Sequence, residues 1–347
     1  MFKTIFLKVF FTFIYIGISL FAYSQSDSII NKVKIPHPKD SLLSLNSDTS
    51  QANIHSFEAE YEKLNLINYP AKLKPKRLIT SLAVEGSAYI ASLLLLNYLW
   101  YDDYPKTKFH LFNDGQEWMQ MNKIGRAMTT STFSNFCYYS YRWSGMKHRQ
   151  ALMYGCAVGL SYMTAVEVMN GYSSGIGFSV PNMVADIAGV SFFFTQQMLW
   201  KRQYMKMKIS YHPTQYAHYR SAVLGDNAVE RFFKDYNGQT HWLSIGSSLF
   251  VPKKSKFPRW LCISFGYGTE GVLGNYNNPE LNEAGGHIPE FERYRQFYFS
   301  FDVDFSTLKT KSKFVRLLLL AVNAIKIPFP ALEYNTKGQF KFHYMYF

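Results

Sequence analysis

The chain has 347 residues, 18% of them aromatic, and 37 Lys and Arg outnumber 24 Asp and Glu to leave a formal charge of +13. That length allows one large or two modest domains. Its three cysteines, Cys137, Cys156 and Cys262, are widely spaced and lie in apolar runs with no CxxC pair, which favours buried thiols over a disulfide framework or a metal site.

The first segment, "MFKTIFLKVFFTFIYIGISLFAYS", is a short apolar run carrying Lys3 and Lys8 and ending in small residues. It reads as a signal peptide over 1–24, so the chain is expected to be exported, to the outer membrane or the periplasmic face of the envelope. No cysteine stands near the expected cut, so a lipid anchor there lacks its acceptor thiol. On an exported protein the positive charge meets anionic lipid or acidic glycan rather than nucleic acid. The aromatic content suits rings at a membrane interface, so membrane lipid is the expected partner, with an envelope protein or glycan as a further one.

Residues 25–70 are rich in Ser, Asp, Asn and Lys and read as a flexible leader with one short helix. A helical domain is expected over 71–205. "LITSLAVEGSAYIASLLLLNYLW" (78–100) is apolar over a membrane-spanning length but is interrupted by Glu85 and Asn97. "GQEWMQMNKIGRAMTTSTFSNFCYYSYRW" (115–143) predicts a long amphipathic helix with Trp118, Met121, Ala127 and Met128 toward one side. Two further apolar runs, 151–169 and 182–200, carry Gly155, Gly159, Ala165, Ala185 and Gly189 at near-helical spacing, which lets helices approach closely. Between them lies "EVMNGYSSGIGFSVPNMVADIAG", a polar corner in which Ser179 can cap the second helix and Pro181 can occupy its first turn.

From 206 to 347 the texture turns to β. Six short stretches, "YMKMKISYH", "HWLSIGSSLF", "RWLCISFGYG", "RQFYFSFDVDF", "FPALEYN" and "QFKFHYMYF", are aromatic or β-branched and bounded by Gly, Pro or Asn. In the fourth, Phe297, Phe299, Phe301, Val303 and Phe305 alternate with Tyr298, Ser300, Asp302 and Asp304, giving one apolar and one polar face. The closing aromatic strand resembles the C-terminal signature of outer-membrane β-proteins. Six strands fall short of the eight of the smallest bacterial barrels. "TLKTKSKFVRLLLLAVNAIKIPF" reads as a basic amphipathic helix inserted between strands, suited to a headgroup plane or to a core position with a solvated basic end. The fold class expected is therefore α+β, a membrane-associated bundle of about four helices followed by an antiparallel β-sheet or partial barrel.

Catalytic motifs fail their context tests. "GYGTEG" has the spacing of a dinucleotide loop but no following helix, and the nine histidines have no metal-ligand spacing. No catalytic residue, cofactor or metal is assigned. What remains is a polar constellation within apolar helices: Glu85, Asn122, Arg126, Glu167, Asn170, Asn182 and Asp186. Within each of the pairs 122/126, 167/170 and 182/186 the residues share a helix face. Ionisable groups in such helices turn inward, where they pair or form a pocket. Both a satisfied ion-pair cluster around Arg126 and a ligand site fit this pattern.

"FNDGQEWMQMNKIGRA", "WSG" and "EVMNGYSSGIGFSVPNMVADIAG", with later segments such as "GDNAVERFFKDYNGQTHWLS" and "RYRQFYFSFDVD", resemble the YfiM-like family of predicted periplasmic proteins, a domain of unknown function. The helical half is more distantly similar to VanZ-like membrane families, a likeness that convergent hairpin geometry also explains. The YfiM-like resemblance implies Asp where this chain has Asn122, His where it has Arg126, Asp-Gly where it has Asn170-Gly171, and an exchanged order at Asn182 and Asp186. Arg cannot act as a base, so any acid–base activity of the family would be lost here. The expected function is thus a structural or interaction component of the envelope. The alternative is a lipid- or glycan-binding protein, or a degenerate enzyme, with a polar pocket between its helices.

Overall fold

The computed structural model describes residues 69–97, 101, 105–252, 254–308, 310 and 312–347. The expected signal peptide and nearly all of the leader lie outside the described residues.

Each apolar run of the first half becomes a helix. α1 spans Pro75–Leu96 with Pro in its first turn, α2 Met121–Trp143, α3 His148–Gly171 and α4 Val180–Trp200. α2, α3 and α4 pack around Cys137, Tyr138, Tyr141, Ala151, Leu152 and Phe193. Burial of side chains the size of Leu152 or Phe193 stabilises by about 1.5–3 kcal/mol each. The helices approach closely because small residues sit at the crossings. A Cβ on Gly155 would lie 2.8 Å from the Tyr138 backbone nitrogen, and one on Gly189 would collide with the Ala127 carbonyl. α1 joins the bundle more lightly, through Ser81 donating to the Ser140 carbonyl (3.4 Å) and the Arg77 guanidinium over the Trp143 ring (5.0 Å). By length and composition α3 is the described helix apolar enough to cross a membrane, although here one side of it packs against α2 and α4.

The start of α2 departs from the expectation. Periodicity predicts a helix from Gly115, whereas Trp118, Met119 and Gln120 form a left-handed turn with φ of 51°, 50° and 67°. The sheet holds this turn. Tyr267 Oη and Arg295 Nη1 both donate to the Met119 carbonyl (2.5 and 3.1 Å), and the Trp118 amide donates to the Asn275 carbonyl (2.8 Å). Three consecutive left-handed residues cost energy and persist only under such restraint. Trp118 consequently leaves the helical face and rests against Tyr236, ring centroids 5.3 Å apart.

The second half is a six-stranded antiparallel meander of β1 (Met205–Tyr211), β2 (Gln239–Gly246), β3 (Leu261–Glu270), β4 (Tyr294–Val303), β5 (Phe329–Asn335) and β6 (Phe340–Tyr346), in that spatial order and not closed into a barrel. Two short helices, α5 (Ser221–Leu224) and α6 (Ala228–Lys234), precede β2, and α7 (Lys313–Val322) is inserted between β4 and β5. The middle of β1's outer edge is taken by the segment after α7. The Ile209 amide donates to the Ala324 carbonyl (3.0 Å), and the Lys326 amide donates to the Ile209 carbonyl (2.9 Å).

Alternation within the strands gives the sheet an inverted polarity. In register across it, Met207, Leu243, Phe265, Phe299, Leu332 and Phe342 form one row, one residue from each strand. That row faces outward, with Phe265 at 51% and Phe342 at 59% exposure. The opposite face is polar and buried. There Lys208 pairs with Asp302 (2.7 Å), Ser244 donates to Asp302 (2.8 Å), and Trp242 Nε1 donates to Ser210 (2.9 Å). Tyr346 on β6 reaches Thr240 on β2 (3.0 Å) and Tyr298 on β4 (2.8 Å), so the sheet curls around these groups. Gly266 belongs to this packing: a Cβ there would lie 2.8 Å from the Trp242 ring, so the "GYGTEG" run is mostly strand, with the turn at Gly271 (φ 73°).

Candidate functional site

The polar constellation converges where α2, α3 and α4 meet. Ser179 caps α4, accepting from the Asn182 amide (3.1 Å), and this fixes the corner that returns the chain from α3. Glu167, near the end of α3, is fully buried. Its carboxylate accepts from the Ser179 amide (2.6 Å), Asn170 Nδ2 (3.0 Å) and Asn182 Nδ2 (3.2 Å), and it pairs with Arg126 Nη1 (2.9 Å).

Arg126 also reaches across to α4. Its Nε and Nη2 donate to the two oxygens of Asp186 at 3.2 and 2.5 Å, a bidentate geometry that only a guanidinium provides. Thr130, one turn along α2, adds a third hydrogen bond to Asp186 (3.1 Å). A parallel set lies alongside. Lys123 contacts Asp114 (2.7 Å) and Asn182 Oδ1 (2.7 Å), while the Ser179 hydroxyl donates to Asp114. Three carboxylates thus face two cations, an excess of one negative charge. Burial raises the Asp186 carboxyl above its ordinary value despite the opposing Arg126, and burial lowers Lys123 despite Asp114.

Five of the seven residues singled out in the sequence, Arg126, Glu167, Asn170, Asn182 and Asp186, therefore meet. Glu85 does not. It lies between α1 and α2 among Cys137, Ser140 and Tyr141, some 16 Å along α2 from Arg126 by helical rise. Burial pushes its carboxyl up, and although those three groups surround it, neither oxygen has a hydrogen bond of good geometry. Asn122 makes no hydrogen bond to the cluster among the described residues, and its buried Oδ1 has no partner.

Sequence reasoning missed Asp114, Lys123, Thr130 and Tyr101, whose hydroxyl donates to Asn170 Oδ1 (2.5 Å). Lys123 and Thr130 were readable as i−3 and i+4 neighbours of Arg126. Asp114 lies in a loop and Tyr101 in a π-helical turn beyond α1, where no α-helical periodicity marks them. The cluster contains no histidine, its Ser179 hydroxyl on Asp114 is also the cap of α4, and every carboxylate oxygen of Glu167 and Asp186 is engaged. Among the described residues no group of three or more His, Cys, Asp or Glu is placed to hold a metal.

Residues 111–197 match the family model described as "Predicted periplasmic lipoprotein (DUF2279)". That segment runs from the loop before α2 into α4 and contains the whole cluster except Tyr101. It contains the helical motifs of the periplasmic resemblance, while the later segments of that resemblance, from Gly225 on, lie outside it, and the match agrees with an exported, cell-envelope protein. As for the lipoprotein of that description, the earliest cysteine of this sequence is Cys137, buried in α2. No curated protein and no solved structure matches the chain.

Proposed function

We propose that the protein is a structural or interaction component of the cell envelope whose curled sheet sits in or against the outer membrane, with the helical half beside it. The observation that carries this reading is the outward row Met207–Leu243–Phe265–Phe299–Leu332–Phe342 over a polar, hydrogen-bonded inner face. A sheet in water turns its apolar face inward. Sheets in lipid alternate apolar outward with polar inward, as this one does. Withdrawing six such side chains from water is worth on the order of 10 kcal/mol. The net charge of +13 suits anionic headgroups at its margins. The helical cluster, fully engaged with itself, supports a framework role for that half.

Fractionation of the envelope tests the proposal. Recovery of the full chain with the outer membrane, and its release when Phe265, Phe299 and Leu332 are all replaced by Ser, is the expected result. Recovery in the inner membrane or the soluble periplasm overturns it.

A further inference from the structure

Four segments of the chain are brought to one end of the molecule. The start of α1 is tied to the turn between α2 and α3, where the Lys74 amide donates to the Ser144 carbonyl (2.8 Å) and Arg77 Nη1 donates to the Trp143 carbonyl (3.3 Å). α4 runs beside α2 in the same direction, with Asp186 on Thr130 and Phe193 against Tyr138, so its end at Trp200 reaches the same level. The sheet joins there. The Gly246 amide, at the end of β2, donates to the Tyr204 carbonyl just beyond α4 (2.9 Å), and the connection from β2 to β3 leaves on that side.

What arrives at this end is of one sign. Residues 69–77, 142–149, 199–206 and 247–260 carry four, three, three and four Lys or Arg, and none of these segments contains Asp or Glu. Lys72, Lys76, Lys147 and Arg149 on the helical tip and Lys254 and Lys256 on the sheet connection are exposed. Cations at the far end of the strands come with acids instead, Arg220 pairing with Glu283 (2.7 Å) and Lys337 with Glu292 (2.8 Å). A surface of one sign draws in a partner of the other. Apolar side chains stand exposed among the basic ones: Leu73, Leu199 and Trp200 on the helical tip, and Phe250, Phe257 and Trp260 in the connection. An acidic protein or glycan has no use for such side chains, whereas in a phospholipid layer phosphates meet the cations and rings reach the acyl boundary. The surface is also continuous with the outward face of the sheet, which begins at Ile263, exposed on β3 two residues beyond the connection.

We propose that this end of the protein seats on the headgroups of an anionic phospholipid layer, with the helical tip and the β2–β3 connection forming one docking surface. The proposal rests on the membrane reading and deepens it by naming the lipid chemistry and the end of the molecule that meets it.

The test is co-flotation of the full chain with vesicles of phosphatidylcholine, with and without phosphatidylglycerol. Phosphatidylglycerol should tighten binding, and raised salt should reverse that gain. Each cation at such a surface is worth roughly fivefold in affinity. Replacing Lys72, Lys76 and Lys147 together by Gln should thus weaken binding to the anionic vesicles about a hundredfold, and replacing Lys254 and Lys256 together about twenty-fivefold. Replacing Lys106, Lys108 and Lys337 by Gln removes as much charge from the opposite end and should change binding only a few-fold. All eight side chains are exposed, so thermal midpoints matching the parent separate lost binding from lost folding. An equal loss from the opposite-end variant, or no gain from phosphatidylglycerol, overturns the proposal. Binding of the parent to soluble polyglutamate but not to the vesicles would make this a protein site and overturns it too. The Phe265/Phe299/Leu332→Ser variant should lose binding to phosphatidylcholine alone yet keep the gain from phosphatidylglycerol, so failure of the membrane reading of the sheet and failure of this one are read separately.

Discussion

Arg126 and Glu167 stand 2.9 Å apart at the junction of α2 and α3, the carboxylate fully buried and the guanidinium shared with Asp186 on α4. An arrangement of this kind contributes little beyond an apolar equivalent, yet removing one member strands the others. Glu167→Ala should therefore cost about 3–5 kcal/mol, leaving Arg126 half-paired and the Ser179 amide without an acceptor. Glu167→Gln should cost about 1–3 kcal/mol, because one amide oxygen can still accept. Denaturant titration of the purified chain measures both. If activity in a complementation assay falls only as far as folded protein falls, the cluster is a framework; loss of activity at full protein level would make it a site.

Gly189 faces the Ala127 carbonyl with no room for a side-chain carbon. Gly189→Ala should force α4 away from α2 at a cost of about 1–3 kcal/mol, despite the better helix propensity of Ala. The same change at Gly86, where nothing lies within 4 Å, should be neutral to stabilising. A lowered thermal midpoint for the first and an equal or raised one for the second is the expected contrast.

Glu85 makes a prediction with a sign. Its carboxyl is raised above the ordinary value near 4.5 by burial, so the folded protein holds that proton more tightly than the unfolded chain does. The group's stabilising contribution is complete below the ordinary value and is lost as pH climbs through the raised one. Glu85→Gln should accordingly stabilise the protein at neutral pH and flatten the pH dependence of stability in the window just above 4.5. Parallel unfolding curves for variant and parent across that window would refute the assignment.

Much of this organisation was legible in the residues. The alternation from Phe297 to Val303 gave both faces of β4, and "FPALEYN" coincides with β5. Ser179 and Pro181 marked the start of α4. The face-sharing pairs pointed to Arg126, Glu167 and Asp186 because helical spacing is a local property. Glu85 was misgrouped for the complementary reason: which helices lie side by side, and at what height, is decided by packing at residues such as Gly155 and Gly189. The left-handed turn at Trp118–Gln120 was invisible because donors 148 and 176 residues away, on Tyr267 and Arg295, impose it.

Phe299, in the centre of the outward row, distinguishes a lipid-facing sheet from a solvated one. Phe299→Lys should cost roughly 2–4 kcal/mol when unfolding is followed in vesicles, the cost of a cation near the middle of the bilayer. In a water-exposed setting the same change should fall within about 0.5 kcal/mol. Equal stability of variant and parent in vesicles would argue against contact with the acyl chains.

The bridge between Ile209 and Ile325 gives the two borders of the sheet different fates. The β1 border is blocked at its middle by Ala324 and Lys326, whereas β6 is the border strand on the other side. Extension of the ladder is therefore one-sided. Two copies meeting through β6 would present only blocked β1 borders at both extremities, so the joint ladder would terminate at twelve strands instead of propagating as a fibril.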